Sequence, residues 1–392
     1  VEGIAHPETP GSDPAEGEAV LERRGLDRLI AVLRHDGYRV IGPTLDDNAI
    51  VLRELESGDR LPDGWGVTTA PGLYRVHRRD DAAVFGHSSG PQSWKQYLHP
   101  PRRQLWSTDG DGDFETPPDE EVAYAFLGVR GCDLAAIRVL RKVLCEGTPA
   151  DGRTAALFSR LFIVAVDCTE PGGVCFCASM GTGPGANGEY DLRLTERLGD
   201  GGPRYLVDVG TSRGADVLAR VPHGTAASEE VERAAQAVCA AAEHMGRHMP
   251  DVDLRELLRT ARDAEVWDDV ASRCLTCGNC TMVCPTCFCT TVEDVTDLSG
   301  THAERWQRWA SCFEPEYSHL HGGDVRESGQ SRYRQWISHK LGTWYDQFGS
   351  SGCVGCGRCI DWCPVGIDIT EEAARLTGAL PTIGPDPTEG SG

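Results

Sequence analysis

Seventeen cysteines stand in this chain of 392 residues, and eight of them fall into two runs of identical spacing. Cys274, Cys277, Cys280 and Cys284 follow C-x2-C-x2-C-x3-C with Pro285 next; Cys353, Cys356, Cys359 and Cys363 repeat it with Pro364 next. This spacing is that of bacterial loops that hold 4Fe–4S clusters. A cubane needs thiolates converging on neighbouring iron corners, and a tight loop with cysteines every third residue turns them inward. Gly278, Gly355 and Gly357 allow the backbone angles such a loop requires. In two-cluster loops the fourth cysteine of each run serves the other cluster. The expected ligand sets are therefore Cys274, Cys277, Cys280 and Cys363 for one cluster, and Cys284, Cys353, Cys356 and Cys359 for the second. Zinc ribbons also use C-x2-C pairs, but they do not account for a third and fourth cysteine followed by proline, twice.

A second group lies earlier: Cys132 in GVRGCDL, Cys168 in AVDCTE, and Cys175 with Cys177 in VCFC. Cys132 and Cys168 each come just past a strand-like run. Ligands collect where the carboxyl ends of parallel strands meet, so these four could hold a third 4Fe–4S cluster. Buried, inert thiols are the alternative, since C-F-C is not a standard cluster spacing. Cys287, Cys289 and Cys312 fall in the long insert 285–352 between the two runs and receive no role. That insert is rich in aromatic, His and Arg residues, and packing around the clusters is preferred for it over partner docking.

The elements that must position these residues divide near Pro250. VAYAFLGV (122–129), LAAIRVLRKVL (134–144) and LFIVAV (161–166) form a βαβ pattern. GLDRLIAVLRHDG has helical spacing, and YDLRLTERL and RYLVDVG alternate like strands. Helices are expected from Ser228 to about Met245 and through DLRELLRTARDAEVWDDVASRC, which runs into Cys274. The predicted fold is thus an α/β domain (20–250) followed by a mainly helical dicluster ferredoxin-like domain (251–380). Residues 1–19 and 381–392 are expected to be disordered tails.

Composition limits the function. The formal charge of −22 argues against nucleic acid or an anionic membrane surface as a partner. No apolar run approaches the roughly 20 residues of a membrane span, and the start lacks the basic and apolar regions of a signal peptide. A cytoplasmic location is expected, where so many cysteines read as metal or redox groups rather than disulfides. Gly183, Gly185 and Gly188 match G-x-G-x-x-G by letter, but Pro184 interrupts the run and strand-like EYDLRL follows, so no nicotinamide or flavin site is expected in the chain. A loop covering a cysteine site is the better reading. No catalytic residue is assigned.

Taken together, GPQSWKQYL, GVRGCDLAAI, CFCASMGTGP, CLTCGNCTMVCPTCFC and CVGCGRCIDWCPVGID resemble the iron–sulfur beta subunit of cytoplasmic NAD(P)-linked NiFe hydrogenases, the sulfhydrogenases. The layout is also similar to the electron-transfer subunit of anaerobic, siroheme-dependent sulfite reductase. The resemblance runs over about 25–369. It implies an electron-transfer subunit of an oxidoreductase complex, with partners that include a flavin subunit exchanging hydride with NAD(P)H and NiFe hydrogenase subunits, or a siroheme subunit in the alternative. An iron–sulfur enzyme using the first-domain cysteines on a substrate, for example a disulfide, is the competing class.

Overall fold

The computed structural model describes residues 18–109, 112–118, 121–147, 150–199 and 201–378; of the tails expected at 1–19 and 381–392, residues 1–17 and 381–392 lie outside them. The first half is built on an eight-stranded mixed sheet. From one edge the strands run Gly224–Thr225, Ala19–Glu22, Gly202–Val209, Leu192–Gly199, Phe162–Val166, Tyr124–Arg130, Arg39–Asp46 and Ala49–Glu54. The four strands from Leu192–Gly199 to Arg39–Asp46 pair in parallel, and the flanking pairs are antiparallel.

Alternation along the central strands separates two cores, as period-two side chains must. Leu127, Phe162, Val164 and Val166 face Leu26, Leu29, Ile30 and Leu33 of the helix Arg23–His35. Phe126, Val129, Ile163 and Ala165 face Leu134 and Ile137 of the helix Gly131–Cys145, together with Trp94 and Leu98. The βαβ reading therefore matches the sheet, with helices covering both faces. A bulge interrupts Tyr124–Arg130 between Leu127 and Val129. Gly128 takes φ +93° there, and a Cβ would stand 3.1 Å from the Phe85 ring. An extra residue at this point restores register for Val129 and re-aims the strand end that leads to Cys132.

The second half is helix-rich around its own core of Trp267, Phe313, Tyr333, Trp336, Ile337, Leu341, Ile360 and Ile369, with five cysteines packed at its margin. One expected element differs. The single helix before Cys274 is two, Leu254–Thr260 and Val266–Arg273. The break lets Trp267 bury fully and donate its indole N–H to the Ala261 carbonyl at 2.7 Å. Tertiary burial of one large ring thus overrides a continuous helical pattern.

No strand is expected in the insert from its sequence, yet Thr290–Thr296 and Ala303–Trp309 form a hairpin. Ala303–Trp309 also pairs with Arg102–Thr108 of the first half. A three-stranded sheet therefore crosses the boundary we propose near Pro250. Two other elements carry no clear sequence signal: the strand Ala19–Glu22, which begins on the last residue assigned to the tail, and the helix Gly152–Arg160.

Candidate metal centres

The two cysteine loops have the same backbone. Thr276 (φ +50°) and Gly278 (φ +72°) correspond to Gly355 (φ +65°) and Gly357 (φ +78°), and a short helix follows each, Asn279–Met282 and Arg358–Asp361. In the first loop the Thr276 N–H donates to the Cys274 Sγ at 3.4 Å; in the second the Gly355 N–H donates to the Cys353 Sγ at the same distance. The Ile367 N–H reaches the Cys363 Sγ at 3.3 Å. Amides aimed at sulfur stabilise thiolate and tune any centre it binds. The Asn279 side chain donates to the Trp362 carbonyl and ties one loop to the other.

Cys274, Cys277, Cys280 and Cys363 line one cavity, walled by Phe313, Tyr333, Trp336, Ile367 and Ile369, with Cys359 at its inner side. Three sulfurs of one run and the fourth of the other thus face a shared apolar space. This end of the molecule reaches solvent: Cys277 is exposed, and Leu275 beside it is 61% exposed.

Cys284, Cys353, Cys356 and Cys359 form a second group. Burial, followed by repulsion from Cys353, Cys356 and Cys284, raises the Cys359 pKa well above that of a free thiol. Cys284 moves the other way. The Cys287 thiol beside it, the Lys340 ammonium and the Thr286 hydroxyl together outweigh burial and hold it well below the thiol range. Lys340 is itself buried and donates to the Cys284 Sγ at 3.4 Å, the Thr286 Oγ1 at 2.9 Å and the Gly352 carbonyl at 2.9 Å. Burial alone would lower its pKa; the surrounding cysteine sulfurs reverse that and raise it.

The four first-domain cysteines converge as well. Cys132, Cys168, Cys175 and Cys177 line a second cavity with Ser88, Arg130, Pro184, Gly355 and Cys356. The C-F-C spacing has a structural use. Phe176, wholly buried, enters the second-half core and its N–H donates to the Gly355 carbonyl at 2.9 Å. Its two neighbours pack instead with Cys132, Val354 and Cys356. Gly355 is required at this junction, because a Cβ would lie 2.6 Å from the Cys177 backbone. The glycine-rich run closes the cavity: the Pro184 carbonyl accepts from the Cys168 N–H at 3.1 Å, and the Thr182 hydroxyl donates to the Val354 carbonyl at 2.7 Å. The strand Leu192–Gly199 follows this run, so the helix that a dinucleotide loop needs is missing there.

Are these sulfurs suited to clusters? Among the described residues, Ser88 Oγ is buried without a partner and belongs to the first-domain cavity. Arg130, also buried there, spends its guanidinium on the carbonyls of Phe85 and His87. A donor and a cation beside four thiols fit a thiolate-bound, anionic group. Among the described residues, no three His, Cys, Asp or Glu side chains are gathered closely enough for a single metal ion. The exposed and first-domain sets each line a cavity instead, as ligands of a multi-iron centre would.

Sequence reasoning missed Lys340, Lys95, Thr286 and the ion pair Arg358–Asp133 at 2.9 Å, which joins the second loop to the helix after Cys132. No local pattern marks them. Cys287, Cys289 and Cys312 are partly buried: Cys287 lies beside Cys284, and Cys312 near Cys289 and near Cys280 of the exposed set. Cys145 and Cys239 line neither of the two cysteine cavities. No helix among the described residues is long and apolar enough to cross a membrane.

Residues 273–367 match the family described as 4Fe-4S dicluster domain. Over 334 residues the chain is 32% identical to Sulfhydrogenase 2 subunit beta of Pyrococcus furiosus, covering 84% of this chain and 90% of that one. No solved structure matches. The dicluster domain implies two 4Fe–4S clusters, and with this extent of similarity the chain belongs to the family of sulfhydrogenase beta subunits, iron–sulfur proteins of electron transfer.

Proposed function

We propose that this chain is the electron-transfer subunit of an NAD(P)-linked NiFe hydrogenase complex, holding three 4Fe–4S clusters in a row. The exposed cluster takes Cys274, Cys277, Cys280 and Cys363. The central one takes Cys284, Cys353, Cys356 and Cys359, and the inner one takes Cys132, Cys168, Cys175 and Cys177. When bound, such clusters supply one-electron transfer.

The observation that carries the row is the position of the central cysteines. Cys359 reaches the cavity of the exposed set, while Cys356 reaches the cavity of the first-domain set. The central four therefore lie between the other two groups. The protein's own residues surround this row: Pro184 of the glycine-rich loop lines the inner cavity, and Trp336 and Tyr333 wall the exposed one.

Hydride chemistry requires a cofactor able to divide an electron pair, whereas iron–sulfur clusters pass electrons singly. We assign that step to a flavin-bearing partner, and hydrogen chemistry to a NiFe module that is likewise a partner. Anaerobic pull-down of the tagged chain from its host tests this. A flavoprotein together with a NiFe large subunit is the expected catch; a siroheme protein in their place would move the function to sulfite reduction.

A further inference from the structure

Two lysines are buried beside the cysteines that follow Cys284, and among the described residues neither is ion-paired with a carboxylate. Lys340 is 3% exposed and Lys95 is 2% exposed. Lys340 gives its three donors to the Cys284 Sγ, the Thr286 hydroxyl and the Gly352 carbonyl. Lys95 comes from the other half of the chain. Its ammonium reaches the carbonyls of Cys287 at 3.1 Å and Met282 at 3.4 Å, and stands 3.7 Å from the Trp309 ring centroid.

Burying an ammonium costs several kcal/mol unless an anion offsets it. Carbonyl dipoles and an indole face offset part. The nearest candidates for the remainder are the central cysteine sulfurs, which bring net negative charge as cluster ligands. We infer that Lys340, with Lys95 behind it, is a positioning charge that raises the reduction potential of the central cluster. The inference rests on the reading that Cys284, Cys353, Cys356 and Cys359 hold that cluster.

The physical reason is direct. A reduced cluster carries one more negative charge than an oxidised one, so a fixed cation nearby favours reduction. The effect is large where little water screens it. A hydrogen bond to a ligand sulfur acts in the same direction, by withdrawing electron density from the iron. At the exposed set the cation that acts on a cysteine is Arg273 beside Cys274, and it is partly exposed to solvent. The cavity of that set is walled by Phe313, Tyr333, Trp336, Ile367 and Ile369 and lined by no lysine. The lysines therefore act unequally along the row, raising the potential of the central position more than that of its solvent-facing neighbour.

The test is an EPR-monitored redox titration of the full chain, wild type against Lys340→Met, Lys340→Arg and Lys95→Met, with iron counted in each. The wild-type iron count and number of distinct signals examine the cluster assignment by themselves, whatever the variants do. With iron retained, Lys340→Met should lower the midpoint of one cluster by an amount that makes it about tenfold less reduced at fixed ambient potential, about 59 mV for a one-electron couple. Lys340→Arg keeps the charge and should stay near wild type. Lys95→Met should shift the same cluster downward by less, since its ammonium touches carbonyls rather than a ligand sulfur. A Lys340→Met protein with full iron and an unmoved or raised midpoint would overturn the inference. If that variant fails to assemble, Lys95→Met decides alone: a fall in the midpoint supports the inference and no change rejects it.

Discussion

At the scale of single residues, the cysteines divide by where each sulfur faces, and this makes substitutions separable. Cys280→Ser removes a ligand from the exposed cavity only. The expected result is loss or conversion of one cluster signal, with the other two kept. Cys356 belongs to the central set yet lines the inner cavity. Cys356→Ser should therefore lower iron by about four per chain, one cubane, and also alter the signal of the inner cluster; iron analysis with EPR reads both. A change confined to one signal would separate Cys356 from the inner site. Phe176 allows a stability test. It is wholly buried in the second-half core, so Phe176→Ala should cost about 3–5 kcal/mol, loosen the segment on either side and expose Cys175 and Cys177 to thiol reagents. Retained protection of both would show that Phe176 is not what holds that segment in place.

At the scale of elements, the loops around the clusters are legible in the sequence because ligand spacing is a local property. Glycine at positions 278, 355 and 357 follows from the same local demand, and all three take positive φ. The parallel strands are equally plain, since Phe162–Val166 is a short apolar run fully buried on both faces. What the sequence hides is decided by distant partners. Trp267 splits a helix because the second core accepts its ring. The insert strand Ala303–Trp309 exists by pairing with Arg102–Thr108, about two hundred residues earlier. Lys340 is one lysine in a polar and aromatic stretch, and only folding brings it to Cys284.

The insert also yields a prediction. Tyr333, Trp336, Ile337, Leu341 and Trp344 are all buried, most of them in the second core. Replacing 290–310, which carries the hairpin, with a short Gly/Ser linker should remove one of the links between the two halves without emptying the exposed cavity, because none of that segment lines it. Limited proteolysis should then cut near Pro250, while the Cys274-set cluster signal persists. Loss of that signal would mean the hairpin supports the loop itself.

For the molecule as a whole, a mixed sheet and a helix-rich half meet at the inner cysteine-lined cavity, while the exposed one lies within the helix-rich half. Both fold classes are legible in the sequence: an α/β sheet domain first, then a helix-rich region with a dicluster domain. Their union is less so. Phe176, Gly355 and the Arg358–Asp133 pair join them through buried contacts, and such contacts leave no periodic signature.

Removing metal should act on this whole. The cysteines of all three sets are drawn together at considerable burial cost, so an anaerobic chelator treatment should lower the unfolding temperature of both halves together, read by calorimetry. Separate transitions would indicate that the inner site contributes nothing to the union.

The most direct measurement is iron and acid-labile sulfide per chain in anaerobically purified, full-length protein. A row of three cubanes predicts about twelve of each per chain. A value of about eight of each would contradict it, leaving the first-domain cysteines without a cluster and the row one member short.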